Sequence, residues 1–118
     1  MDKKQQPENL IVKLTLEFAL GIIEFSELLE SKRKFVVANQ VLKSGTSIGA
    51  NVREAQNAES KADFIHKFKV AAKEVEETEY WLLLCQLAPT YPTPTELQKQ
   101  LESIQKIISK IIISSKSK

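Results

Sequence analysis

The feature of this sequence that most restricts its fold is a spacing of three and four residues between apolar side chains, which recurs in four successive segments. Such spacing places apolar side chains on one face of an α-helix, whereas a half-buried strand alternates apolar and polar residues. The spacing predicts helices at about 8–30, 32–57, 60–88 and 94–114. Only 3 glycines and 4 prolines interrupt the 118 residues, which also argues against a loop-rich all-β fold.

Residues that start helices stand between these segments. Ser60 and Asp63 have the spacing of a capping box, in which the hydroxyl accepts from a free backbone amide and the acid reaches back. Thr93 and Glu96 repeat this spacing around Pro94, which we expect at the first helical position. Because short connections make consecutive helices antiparallel, we predict a single-domain, all-α, up-down-up-down four-helix bundle.

The composition excludes several kinds of catalytic or cofactor site. With one cysteine, Cys85, and one histidine, His66, the chain has no disulfide framework and no Cys/His metal site of its own. It lacks the paired Glu-x-x-His motifs of di-iron bundles. Gly45 and Gly49 do not form a phosphate loop, because they lie inside a predicted helix without the Lys-Ser/Thr ending. We therefore expect no cofactor, no metal and no enzymatic activity.

Neither a secretory leader nor a membrane span is evident in the sequence. The longest apolar runs, 18–23 and 111–113, are far shorter than the roughly 20 residues that a membrane helix needs. We therefore expect a cytoplasmic protein without a membrane partner. The net charge of +2 is too small to indicate nucleic-acid binding by itself, since the local field depends on where the charges lie.

The first predicted helix carries more apolar surface than one core requires. A second apolar stripe, turned by about 120° from the core face, comprises Val12, Leu16, Ala19, Leu20 and Ile23. Either this helix lies deep within its own bundle, or it presents the stripe to another subunit. Since exposed apolar patches mark interaction sites, the pattern favours self-association, with Val12, Leu16, Leu20 and Ile23 at the interface.

The second predicted helix combines a polar seam with two glycines. The seam follows steps of three and four residues beside the core face, through Gln40, Ser44, Ser47, Asn51 and Glu54. Gly45 and Gly49 each cost about 0.8–1 kcal/mol relative to alanine in a helix interior. We expect that a close approach by another helix of the same subunit offsets this cost.

The third predicted helix separates its charges along its length. Four lysines come first and four glutamates follow, namely Lys61, Lys67, Lys69 and Lys73, then Glu74, Glu76, Glu77 and Glu79. This order opposes the helix macrodipole, which favours acids at the start of a helix. One interpretation is a solvated face with local ion pairs. The other is a basic band, joined by Arg53, that binds nucleic-acid phosphates. Glu79 falls near the core edge, where we expect Arg53 or Asn51 as its partner.

Two sequence blocks resemble a known protein family. The first spans 40–55 and contains Ser-Ile-Gly-Ala-Asn-x-x-Glu from Ser47 to Glu54; the second spans 60–67 and is followed by Lys73-Glu74 and by 77–81. These blocks resemble the four-helix-bundle family encoded by intervening sequences of the 23S ribosomal RNA gene. That family is similar to the accessory variability determinant of diversity-generating retroelements.

The resemblance implies a four-helix bundle that assembles as a ring-like homopentamer, without established enzymatic activity. It also implies RNA or DNA as a partner of a basic surface, and the candidate contacts in this sequence are Arg53, Lys61, Lys67, Lys69 and Lys73. The motif and helix-packing residues are Ser44, Gly45, Ser47, Gly49, Asn51 and Glu54. The chain is only slightly basic, and Glu79 stands where the resemblance leads us to expect a basic residue. The alternative is a structural or protein-interaction module that binds no nucleic acid.

Overall fold

The structure, a computed structural model, describes residues 7–117, with side chains described from residue 10 onward. It contains four helices, α1 (Pro7–Ser31), α2 (Phe35–Ala55), α3 (Lys61–Leu87) and α4 (Thr95–Lys116), and no strand within the described residues. α1 and α3 each pack against both α2 and α4. The prediction of an all-α, up-down-up-down four-helix bundle is confirmed.

One apolar core runs along the axis of the bundle. All four helices contribute fully buried side chains at steps of three and four residues, including Ile11, Phe18, Ile22, Val41, Ile48, Val52, Phe68, Val75, Leu82, Leu101, Ile104 and Ile108. Burying one large apolar side chain contributes about 1.5–3 kcal/mol, so this core is the main source of stability. No described buried side-chain nitrogen or oxygen lacks a hydrogen-bond partner.

The connection between α1 and α2 is longer than the sequence predicts, because α2 begins at Phe35 rather than at residue 32. Arg33 has a left-handed backbone conformation with φ of 63°. Its N–H donates to the Glu30 carbonyl at 2.8 Å, and the Lys34 N–H donates to the Leu29 carbonyl at 2.8 Å. This is the Schellman pattern of a helix end, which normally carries glycine at the left-handed position. Because arginine stands where glycine is usual, the end of α1 could not be predicted from the sequence.

The two remaining helix starts differ in how they are capped. At α3 the Ser60 Oγ accepts from the Asp63 N–H at 3.0 Å, and the Asp63 carboxylate accepts from the Glu59 N–H at 3.2 Å. The predicted cap by Ser60 is confirmed, and Asp63 reaches back as expected, but to the N–H of the residue before the N-cap. At α4 the prediction was wrong by one residue: Pro94 is the N-cap, without a side-chain cap, because its carbonyl accepts the first helical bond, from the Gln98 N–H at 3.0 Å.

Contacts between the helices fix their register along the bundle axis. Lys67 Nζ lies 2.9 Å from Glu54 Oε1, which aligns the start of α3 with the end of α2. Gly45 lies against Ile22, which aligns the middle of α2 with the second half of α1. One end of the bundle therefore holds the α2–α3 turn, the start of α1 and the end of α4. The other end holds the α1–α2 and α3–α4 connections.

Candidate functional site

The second apolar stripe of α1 lies on the outside of the bundle. Leu16, Leu20 and Ile23 are 50%, 57% and 39% exposed, and Val12 and Ala19 lie half-buried beside them. The stripe is therefore not buried in the core of its own subunit. This excludes the interpretation in which α1 lies deep within its own bundle.

A shallow groove of about 160 Å³ continues the stripe onto α2. It is lined by Val12, Thr15, Leu16 and Ala19 from α1, and by Thr46, Gly49, Ala50 and Arg53 from α2. Arg53 is the charged residue among these lining residues and is exposed to solvent. An apolar surface of this kind is suited to burial against a second protein surface.

α1 and α2 approach each other closely at the two glycines of α2. A Cβ atom on Gly45 would lie 2.8–3.0 Å from side-chain atoms of Ile22, and one on Gly49 would lie 3.3 Å from the Cβ and carbonyl oxygen of Thr15. Even a methyl group would crowd the facing helix at these positions. The close approach to α1 is the packing gain that offsets the low helix propensity of glycine.

The polar seam of α2 is occupied by contacts within the bundle. The Ser44 and Thr78 hydroxyls are hydrogen-bonded at 2.9 Å in the core between α2 and α3. Asn51 Nδ2 donates to the Ser47 carbonyl at 2.9 Å, within α2 itself. Ser44 therefore links α2 to α3, whereas Asn51 contacts the backbone of α2 itself.

Lys67, one of the predicted nucleic-acid contacts, is paired inside the subunit. Its ammonium group binds the Glu54 carboxylate at 2.9 Å, and the two side chains are 31% and 59% exposed. The hydrogen bond from Lys67 to Glu54 and the charge of Glu54 raise the pKa of Lys67. The lysine stays protonated, but its charge is partly neutralised by the neighbouring acid.

Lys69 and Lys73 are exposed on the outer face of α3, on the same stripe as His66. At about 100° per residue, Lys69 lies on the opposite side of α3 from Thr78, which faces α2. Arg53 lies on the α1 side of α2, in the groove described above. The structure therefore does not bring Arg53 into one patch with Lys69 and Lys73. The other predicted contact, Lys61, is exposed at the first turn of α3.

Glu79 lies close to an acid of α4, and not beside α2, where its expected partners are. It is exposed, and the partial burial of its carboxyl group together with the nearby acids Glu76 and Glu102 raises its pKa. The prediction that Arg53 is the partner of Glu79 was wrong, because the two residues lie at different levels along the bundle axis. Glu54 is level with Lys67, twelve residues before Glu79, and twelve residues span about 18 Å of helix.

α4 contributes basic residues that the sequence analysis missed. Lys106 and Lys110 are exposed on its outer face, in the part of α4 that lies at the same end of the bundle as the start of α3. Lys106 Nζ lies 3.9 Å from the Glu102 carboxylate, and Lys110 forms no ion pair with any described residue. The amphipathic period of this helix is the signal that could have placed both lysines on its outer face.

Charge separates along the axis of the whole bundle. We define the basic half as residues 10–19, 45–73 and 106–117, and the acidic half as 20–44 and 74–105, which divides each helix at its middle. The basic half contains nine Lys or Arg against four Asp or Glu, and the acidic half contains five against nine. The nearly even total charge therefore conceals two oppositely charged surfaces.

The described residues hold no arrangement typical of metal chemistry. Cys85 is buried, and burial raises the pKa of its thiol to about 11, so the thiol is protonated at neutral pH. No group of three or more His, Cys, Asp or Glu within the described part of the chain is arranged to hold a metal ion.

No helix in residues 7–117 combines the length and apolarity that a membrane span requires.

Comparisons with known proteins agree with the bundle and with its two sequence blocks. Residues 8–112 match the family model of the 23S rRNA-intervening sequence protein. A crystal structure of a protein of unknown function from the S23 ribosomal protein family of Bacteroides thetaiotaomicron VPI-5482 is 41% identical to this chain. The two superpose with a TM-score of 0.84 over 91% of this chain and 98% of that one. No curated protein matches the sequence. The chain belongs to the 23S rRNA-intervening sequence protein family.

Proposed function

We propose that this protein is a non-enzymatic, self-associating four-helix bundle that binds RNA or DNA through its basic half. The observation that carries the proposal is the axial separation of charge, with nine basic against four acidic side chains in that half. Lysine and arginine contacts to phosphates release condensed counterions, which supplies most of the affinity of sequence-independent binding. Several basic halves placed around one assembly would multiply this attraction.

The main proposed contacts are exposed cations on the neighbouring helices α3 and α4. Lys69 and Lys73 of α3 form the centre, and Lys106 and Lys110 extend the surface onto α4. The remaining members of the proposed set are Arg53, Lys61 and Lys67, and the charge of Lys67 is partly neutralised by Glu54. Phe64 and Phe68 are packed in the core region, so base stacking has no support here and the proposal is binding to the phosphate backbone.

Self-association is proposed through the apolar stripe of α1 and the groove beside it. Leu16 and Leu20 expose half or more of their surface, which is unfavourable in water and relieved by a subunit contact. The assembly we propose is the ring-like homopentamer that the family resemblance implies. In a ring with parallel subunits, the basic halves would lie at the same end of the assembly.

The second candidate function is a protein-interaction module without nucleic-acid binding. It is favoured by the same exposed stripe on α1, since an exposed apolar surface can bind a different protein as well as a second copy of this chain. The two functions differ in whether the basic half attracts phosphates. A binding measurement with nucleic acid therefore separates them.

The test is fluorescence anisotropy with a labelled RNA hairpin and a labelled DNA duplex, titrated from about 20 to 200 mM salt. We expect the logarithm of the binding constant to fall linearly with the logarithm of salt concentration. Lys69→Glu with Lys73→Glu should abolish binding. The matched control, Lys43→Glu with Lys99→Glu, changes the net charge equally but lies in the acidic half, and should retain most of the affinity.

Two outcomes would contradict the proposal. If the wild-type protein binds neither probe at the lowest salt, the protein-interaction module is the better description. If both double variants lose affinity equally, the total charge of the molecule governs binding rather than the basic half.

A further inference from the structure

A groove of about 480 Å³ between α1 and α4 lies in the acidic half, on another side of α1 from the apolar stripe. Phe25 and Leu28 of α1, Leu97 of α4 and the N-cap residue Pro94 line its apolar surface. Leu28 is 43% exposed there, whereas Phe25 and Leu97 are buried. Gly21 allows α4 to lie close, since a Cβ at this position would be 3.0 Å from Leu97 Cδ2.

Both sides of this groove carry an acidic residue. Glu24 of α1 and Glu96 of α4 are exposed lining residues, and no Lys or Arg lines the groove. Neither carboxylate forms an ion pair with a residue that the structure describes. Gln100 adds an amide that can donate and accept hydrogen bonds at the same wall. The groove therefore has an apolar floor, from which Leu28 is the exposed side chain, and a negatively charged rim.

We infer that this groove binds a basic amphipathic helix of a partner protein. Amphipathic helices bind by laying apolar side chains, spaced at three and four residues, into a hydrophobic groove between helices. Here those side chains would contact Phe25, Leu28 and Leu97, while flanking Lys or Arg side chains would reach Glu24 and Glu96. An acidic rim repels nucleic-acid phosphates and anionic lipid headgroups, so a cationic peptide is the complementary ligand. The inference does not depend on nucleic-acid binding by the basic half.

The probe is a fluorescein-labelled peptide of about 14 Lys and Leu residues, with leucines at helical spacing, compared with a peptide of equal composition in strictly alternating order. Fluorescence anisotropy should show saturable binding of the helical peptide and weaker binding of the alternating one. Glu24→Lys with Glu96→Lys should weaken binding by about tenfold or more. Glu76→Lys with Glu79→Lys changes the same net charge in the same half, outside the groove, and should change affinity by less than about twofold.

Two further measurements locate the bound peptide. Leu28→Gln removes apolar contact from an exposed position, so the fold should persist by circular dichroism while peptide affinity falls about threefold or more. In a TROSY spectrum of the labelled protein, the amide shifts should concentrate at Leu28, Glu96 and Gln100. Shifts centred elsewhere would overturn the assignment of the groove.

The inference fails if no saturable binding occurs, or if the two charge-reversal variants lose affinity equally. It also fails if Glu24→Lys with Glu96→Lys lowers the assembly mass measured by light scattering. A second copy of this chain, rather than a foreign helix, would then occupy the groove. None of these measurements uses nucleic acid, so they are independent of the test of the proposed function.

Discussion

At Gly45 the backbone of α2 lies directly against Ile22 of α1. The three atoms that would lie nearest to a Cβ atom at this glycine, at 2.8–3.0 Å, all belong to this isoleucine, which is fully buried. Because isoleucine is β-branched, two of these atoms are attached to its Cβ, and they can move away only if Ile22 leaves its preferred χ1 rotamer or α1 is displaced. Gly21 offers a contrast, since a Cβ atom there would meet the terminal methyl Cδ2 of Leu97, at 3.0 Å.

We predict opposite effects of alanine at these two glycines. Gly45→Ala should lower the free energy of unfolding by about 1–3 kcal/mol, because overpacking against Ile22 outweighs the gain in helix propensity. Gly21→Ala should be neutral or stabilising by up to about 1 kcal/mol, because the tip of Leu97 can rotate aside. Urea unfolding of both variants measures the difference. Equal stabilisation by the two substitutions would contradict close packing at Gly45.

At the scale of a single element, α1 has two apolar surfaces with different exposure. One surface, which includes Ile11, Phe18 and Ile22, is completely buried in the core. The other, centred on Leu16 and Leu20, is exposed. A helix with apolar residues on so much of its circumference is typical of an element buried on more than one side, and within one subunit α1 is buried on only one.

We predict that Leu16→Glu with Leu20→Glu dissociates the assembly. Placing unpaired charges in a buried contact is strongly unfavourable, whereas the same charges on an exposed face of the separated subunit cost little. Light scattering should show a large assembly for the wild-type protein and a smaller particle for the variant. Val36→Glu with Leu87→Glu, at positions that are 76% and 67% exposed on α2 and α3, is the control and should not change the mass. A wild-type particle of 13.3 kDa would contradict self-association.

At the scale of the whole molecule, the separation of charge crowds acids together in one half. Glu79 of α3 lies near Glu76 and near Glu102 of α4, and its pKa is raised by burial first and by these two acids second. A carboxyl group whose pKa is higher in the folded state destabilises the fold when it is ionised. The penalty is present above the raised pKa and disappears as the pH falls and the group becomes protonated.

We predict that Glu79→Gln stabilises the protein at neutral pH by about 0.5 kcal/mol, the usual scale of surface substitutions. The difference from the wild-type protein should vanish below about pH 4, where the native carboxyl group is protonated as well. Thermal unfolding at both pH values measures the effect. Glu17→Gln in the basic half is the control, and an equal stabilisation by that variant would show that crowding of acids around Glu79 is not the cause.

The sequence determined the helices, their antiparallel order and the capping of α3 by Ser60 and Asp63, because these depend on spacing within about one or two turns of the chain. It also predicted the outer stripe of α1. It could not reveal the end of α1, because the left-handed residue there is Arg33, and a Schellman end is recognised in sequence by glycine.

Which charged residues share a surface is evident only from the tertiary structure. Lys67 pairs with Glu54, Arg53 lies beside α1 and away from Lys69, and Lys106 and Lys110 of α4 join the basic half. These placements follow from the register between helices, which is set by close contacts such as that of Gly45 with Ile22. Helical periodicity specifies the direction in which a side chain points around its own axis, but it carries no information on how far one helix is shifted along another.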